Sequence, residues 1–292
     1  MQRRAMSWDQ LSLIVIPAVL PLAGEVVAWL AQFGQSPSDV LPWAVPPLLG
    51  LLFADPVAGA FRRARQGSLA ALTLGVVLSG FTLLLAGLPL AYASTPLVAA
   101  AGALVLTRLQ DPIAEGLGAS TVFIVATVLA NYTLDAFLPL GDFFLVNVGT
   151  FFFGITFTQR DRVHRLGRRW VYTMIVAAGV ANVLAAASLG TPLRFIAVSF
   201  LTIVVAETAD TEIFARLKGR PWIQRVLGSN AVSAPLDTVL FTVLAFVGAP
   251  FATFAWMTQV IVTDILVKYS AGLLAALSIL PGRAREELRR FA

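Results

Sequence analysis

Residues 207–248 read ETADTEIFARLKGRPWIQRVLGSNAVSAPLDTVLFTVLAFVG, and they place three carboxylates, Glu207, Asp210 and Glu212, ahead of a fourth at Asp237 in otherwise apolar surroundings. On helical spacing Arg225, Ser229, Ser233 and Asp237 recur every fourth residue with Asn230 beside them, a polar stripe along one helix face. Further on, Asp264 and Lys268 stand four apart, the favourable order for an ion pair on one face. Carboxylates held next to hydroxyls and amides suit recognition of a ligand that offers several N–H donors. Helix bridging is the alternative for the same residues: Ser229, Asn230 and Ser233 divide evenly between the two readings. Asn131, Asn147 and Asn182, one to a span, read as bridges. His164 lies in TQRDRVHRLGRR and reads as a solvated loop residue; one histidine without cysteine makes no metal site.

The elements that must position these groups are membrane helices. Of 292 residues, 58% are hydrophobic and 13% charged, and the mean hydropathy is +0.82, far from a soluble domain. Runs near 20 apolar residues, enough to cross a core of about 30 Å, predict ten spans: 10–32, 41–61, 68–88, 90–107, 113–138, 142–159, 170–189, 192–213, 227–248 and 251–279. The runs are continuous rather than alternating, which favours helices over a membrane barrel. The expected fold is therefore an all-α polytopic membrane protein of about ten transmembrane helices.

Charge sets the orientation. With ten spans and the N-terminus inside, every Lys and Arg among the 21 except Arg194 and Lys268 falls in a cytoplasmic segment, including Arg160 and Arg162 of the loop after the sixth span. Both termini are then cytoplasmic, in an inner (plasma) membrane. The net charge of +5 is explained by this topology and anionic lipid, without nucleic acid. There is no cysteine, hence no disulfide or thiolate chemistry, and no P-loop, dinucleotide fingerprint or hydrolase elbow, so the expectation is not an enzyme and no cofactor.

Cost locates the candidate site. A charge at the bilayer centre costs about 2.5–3.5 kcal/mol on insertion scales, so the acids are retained only if paired or facing a watery cavity. At 1.5 Å per residue, Asp237 lies roughly 15 Å inside its helix, near the midplane, and Glu207 also lies within the membrane. The polar residues in spans are denser after residue 112, which divides the chain into an extension of about four spans, 1–110, with no assigned role, and a six-helix module, 112–292.

The pattern Glu207-x-x-Asp210-x-x-x-Phe214, Arg225, Ser229-Asn230-x-x-Ser233-x-x-x-Asp237-Thr238-x-x-Phe241 and Ala245-Phe246-x-Gly248 resembles the queuosine precursor transporter family, the vitamin-uptake-like VUT family, with further matches at Lys268, Pro281 and Asn131. Three departures stand out: Ala206 where the family has Ser, Thr238 for Ser, and a basic loop with Arg160 and His164 where acids are usual. The resemblance implies a compact six-helix bundle similar to the substrate-binding subunits of energy-coupling-factor transporters. It also implies import of a 7-deazaguanine base without a dedicated ATPase partner. On this reading Glu207, Asp210, Arg225, Ser229, Asn230, Ser233, Asp237 and Phe241 contact the substrate, and Asn131, Asp264 and Lys268 are structural or coupling residues. The partners expected are a purine-like base and the lipid bilayer, with a homo-oligomer left open. Two other functions fit the same residues: a substrate-binding subunit of an ATP-driven vitamin uptake system, which would co-purify with its ATPase, and a non-transporting structural membrane protein, which no deazaguanine would stabilise.

Reporter fusions after residues 64, 165 and 219 are expected to read cytoplasmic, and fusions after 140 and 249 external; an external reading at 165 or 219 would overturn the orientation.

Overall fold

The computed structural model describes residues 6–32, 41–64, 66–189 and 192–291; Arg3 and Arg4 of the first expected cytoplasmic segment lie outside them. Ten α-helices are present among the described residues: α1 (Trp8–Ala31), α2 (Leu41–Ala64), α3 (Ser68–Ala86), α4 (Ser94–Arg108), α5 (Asp111–Tyr132), α6 (Val148–Val163), α7 (Arg168–Leu189), α8 (Leu193–Arg216), α9 (Trp222–Phe246) and α10 (Phe254–Phe291). Among the described residues seven segments are long and apolar enough to cross a membrane: α1, α2, α3, α5, α7, α9, and α4 together with the short 3-10 turn before it (Leu90–Arg108). Helices α6, α8 and α10 carry Arg160, the Glu207–Asp210 pair, and Asp264 with Lys268. The chain is a multi-pass membrane protein, and its most polar helices pack against protein neighbours.

Those neighbours form a ring. Helix α5 packs on α6, α6 on α10, α10 on α9, α9 on α8, α8 on α7, and α7 returns to α5. The polar faces of α6, α8, α9 and α10 can thus point at one another while the outer faces carry large apolar side chains such as Val176, Leu184, Leu201 and Leu266. Helices α1 to α4 form a second group in which α1 packs on α3 and α2, and α2 on α4; α2 also packs on α5 of the ring. Close approach there needs a glycine: a Cβ at Gly118 of α5 would collide with the Asp55 carboxylate of α2, and Asp55 forms a two-pronged contact with Arg162 of α6, at 2.5 and 3.4 Å.

Two departures from the expected all-helical pattern matter for the site. Residues 137–138 and 142–147, expected at the ends of two spans, instead join the link between them in an antiparallel hairpin of β1 (Phe137–Leu140) and β2 (Phe144–Asn147), with Phe137 paired to Asn147 and Leu140 to Phe144. Pro139 and the positive-φ Gly141 (φ 66°) explain why a helix cannot run through this segment. The hairpin docks on α10, where the Leu145 amide donates to Thr263 Oγ1 at 3.2 Å. Second, the supposed loop after the sixth span continues as helix to Val163 and then makes a short 3-10 turn over His164–Leu166. This extra helical turn is what carries Arg160 inward.

Ion pairs gather the predicted cytoplasmic ends at one end of the molecule: Arg63 with Asp9, Arg62 with Asp111, Arg165 with Glu115, and Arg168 with Glu212. We call this the basic end and the opposite one the hairpin end. Both pairs from Arg62 and Arg63 involve well-exposed groups and contribute little to stability.

Candidate functional site

A small cavity lies inside the ring, with about 50 Å³ of interior open to a water-sized sphere. Its walls come from Asn131 of α5, Asn147 of the hairpin, Thr150 and Phe153 of α6, Ser199, Thr202 and Ile203 of α8, Asp237 and Phe241 of α9, and Asp264 and Lys268 of α10. On α5, α6, α8 and α9 these positions lie in the helix half nearer the hairpin.

The charged groups in the cavity are ordered by one ammonium. Lys268 Nζ lies 2.7 Å from Asp237 Oδ2, donates to Thr238 Oγ1 at 2.9 Å, and sits 4.9 Å above the Phe153 ring centre. The spacing of Asp264 and Lys268 suggested a pair along α10; instead Lys268 crosses to α9 and binds Asp237, because the two helices pack face to face. Asp264 accepts the Asn147 amide at 3.4 Å and a hydrogen bond from the Thr150 side chain, and a carboxylate with about four acceptor sites keeps capacity for further donors. Asn147 itself is fixed by a hydrogen bond from its side-chain amide to the Leu134 carbonyl.

One to two turns further toward the basic end, α8 presents Glu207 and Asp210, and between them lies a side chain that reading the sequence had placed in a loop. Arg160 of α6 is 1% exposed; its Nη1 is 2.8 Å from Glu207 Oε2 and its Nη2 is 2.8 Å from Asp210 Oδ2, with Asp161 Oδ1 at 3.6 Å. The other Asp210 oxygen accepts the Ser233 hydroxyl at 2.8 Å, which ties α9 to the same point. We refer to this arrangement as the clasp. It is a buried cation held by carboxylates of a different helix, where removing one partner costs about 3–5 kcal/mol because the other is left charged and dry.

The predicted stripe on α9 therefore divides into several environments. Asp237 and Phe241 face the cavity, Ser233 joins the clasp, and Ser229 donates to the Val226 carbonyl of its own helix. Asn230 is 2% exposed, with an Oδ1 that has no hydrogen-bond partner. Arg225 is outside both centres: its guanidinium lies 3.8 Å from the Phe214 ring centre and donates to the Phe214 carbonyl, closing the C-terminal turn of α8. Asn131 and Asn182 bridge helices as expected, since Asn131 donates to Asn182 Oδ1 and accepts from Ser199 Oγ, both at 2.6 Å, joining α5, α7 and α8.

His164 is not a solvated loop residue. Its ring is 5.3 Å from that of Phe214 and its Nε2 is buried without a hydrogen-bond partner. Burial, followed by the nearby Arg160 charge, pushes its pKa down to about 4, so the imidazole is neutral at neutral pH.

Reading spans from hydropathy missed Arg160, Thr150, Phe153, Ser199 and Thr202. The available signal was the run of unpaired acids on α8: two carboxylates within a span require a cation, and Arg160 stands only one residue past the predicted sixth span.

A family model described as "Putative vitamin uptake transporter" matches residues 147–281, which include all of the clasp and the cavity walls from Asn147 onward. This is a family of transporters, not of enzymes. The match leaves α1 to α5 outside it. No curated protein and no solved structure matches the chain.

Replacing Arg160 by Gln should lower stability by about 3 kcal/mol or more, and adding Glu207→Gln and Asp210→Asn to it should restore part of the loss, since the uncompensated acids are then gone. Thermal unfolding of the purified single and triple variants measures this; purely additive losses would contradict a coupled clasp.

Proposed function

We propose that this chain is an inner-membrane transporter that imports a small planar, purine-like base of the 7-deazaguanine class. The observation that carries the reading is the cavity inside the ring: two carboxylates, one ammonium, amides and hydroxyls converge there between the rings of Phe153 and Phe241. A 7-deazaguanine base offers N1–H and an exocyclic amine side by side, beside a carbonyl. A carboxylate accepts the two donors as a fork, an ammonium or amide satisfies the carbonyl, and an aromatic ring covers the flat face.

Which carboxylate takes the base follows from what each already does. Glu207 and Asp210 hold Arg160, and Asp237 holds Lys268. Asp264 takes two neutral donors, the Asn147 amide and the Thr150 side chain, lines the cavity and stands one turn from Lys268 on the same helix. Asp264 is the acceptor of the base's paired donors, and Lys268, turned by Asp237, is the donor to its carbonyl. The acids of the resembling pattern are thus shared between roles: Asp237 orients the site, while Glu207 and Asp210 close it below.

The clasp supplies the second requirement of a transporter, a barrier. It lies between the cavity and the basic end, and release of the base on that side requires α6 and α8 to part at Arg160. Such a barrier opens only when the departing carboxylates and guanidinium meet water or other partners, so the closed form is favoured while the site is dry.

Expression in cells unable to synthesise queuosine should confer uptake of labelled 7-deazaguanine base; absence of uptake by a correctly inserted protein would contradict the proposal. With purified protein, Asp264→Asn should weaken base binding by about 1.5–3 kcal/mol, the scale of a hydrogen bond to a charged group, which is roughly 10- to 150-fold. Asp237→Asn should lower the melting temperature, because Lys268 loses its counter-ion. Unchanged affinity in Asp264→Asn would remove it from the ligand site.

A further inference from the structure

The cavity inside the ring is not the roomiest space in the molecule. A space of about 440 Å³ open to a water-sized sphere lies between α1, α2 and α6 at the basic end, outside the path from the ring cavity through the clasp. Its floor carries three guanidinium groups, Arg62 and Arg63 of α2 and Arg162 of α6, against two carboxylates, Asp9 of α1 and Asp55 of α2. Ile16, Pro56 and Ala60 add apolar wall, with Asp55 and its partner Arg162 at the depth of Pro56, and Trp8, 85% exposed, stands at the edge. Guanidiniums beside apolar wall residues offer both chemistries of a phospholipid, and a tryptophan at the boundary is typical of the membrane interface.

We propose that this cavity binds the anionic phosphodiester headgroup of a membrane phospholipid, with an acyl chain along the apolar wall. The guanidiniums differ in how far they are already committed. Arg162 is held by Asp55 at 2.5 Å and by Gln159 at 2.9 Å. Arg63 uses Nε for Asp9 at 3.0 Å and is otherwise well exposed. Among the described residues Arg62 makes one long ion pair, 3.8 Å from Asp111, whose side chain is 92% exposed. Arg62, with the terminal nitrogens of Arg63, is the phosphate-binding element, and Arg162 closes the far side. Planar guanidiniums suit phosphate because they donate in pairs. Basic recesses between membrane helices on the cytoplasmic side hold such headgroups generally.

The floor is built rather than accidental. The start of α1 is fixed by a reciprocal cap, in which Ser7 Oγ accepts the Gln10 amide and Gln10 Oε1 accepts the Ser7 amide. Gln10 also donates to the Gln66 carbonyl beyond α2, which holds Trp8 and Asp9 against the arginines. Because α1 and α2 belong to the N-terminal group and α6 to the ring, a lipid here joins the two. It would give residues 1–110 a function: half of a lipid site that braces α6, two residues from Arg160. This inference does not depend on the transported substrate.

The test uses the full chain in neutral detergent, with melting temperature followed against phosphatidylglycerol, phosphatidylcholine with the same acyl chains, and inorganic phosphate. Phosphatidylglycerol should raise the melting temperature at concentrations where the other two do not. Arg62→Gln with Arg63→Gln should weaken its apparent affinity by about 5-fold per guanidinium, the change corresponding to about 1 kcal/mol for each charge at an anionic surface. Ala60→Phe, which fills the cavity but keeps every charge, should abolish the response. Equal stabilisation by phosphatidylcholine, or an undiminished response in either variant, overturns the proposal; stabilisation by inorganic phosphate alone reassigns the cavity to free phosphate and overturns the lipid.

Discussion

Everything in the ring is arranged around one constraint: a guanidinium cannot be left without partners in the membrane interior. Arg160 is 1% exposed, so it is retained only because α8 brings Glu207 and Asp210 to its two terminal nitrogens. That requirement fixes the register of α6 against α8, and the Ser233 contact with Asp210 extends it to α9. A second pair, Lys268 with Asp237, does the same between α10 and α9 nearer the hairpin. Four helices are thus cross-linked at two levels, and the cavity is walled largely at the upper one.

The same constraint bears on where the more polar helices sit. Helices α6, α8 and α10, which carry buried charges, each take a place in the ring between more apolar or complementary neighbours. Their charges are compensated by one another rather than by solvent. In the cavity two carboxylates face one ammonium, and below it Glu207 and Asp210 hold one guanidinium.

Much of this was legible from residue types. Continuous apolar runs located the helices, with ends off by six residues at α5 and α6 and by 12 at the end of α10, and the basic ends they predicted do assemble through ion pairs on one side. The importance of the 207–248 segment followed from the cost of burying its acids. Three things were not legible. The hairpin at 137–147 is as apolar as a span end, and only Pro139 and Gly141 betray it. Partner choice was hidden because Asp264 and Lys268 satisfy the spacing rule for one helix, whereas packing offered Lys268 the better placed Asp237. Arg160 was hidden by its own charge, since counting positive residues as cytoplasmic assigns every loop arginine to water, and only the fold shows the helix continuing one turn to place it between two acids.

The central claim is that the clasp separates the cavity from the basic end, and the absence of cysteine from the chain makes it directly measurable. A single cysteine at Thr202, in the cavity wall on α8, can be labelled with a membrane-impermeant maleimide in vesicles of either orientation. With Arg160 intact, the ligand-free protein should not be labelled from the basic-end side; with Arg160→Gln added, labelling from that side should appear in protein that remains monodisperse. Ready labelling from the basic-end side with the clasp intact, or no change when Arg160 is replaced, would contradict the account.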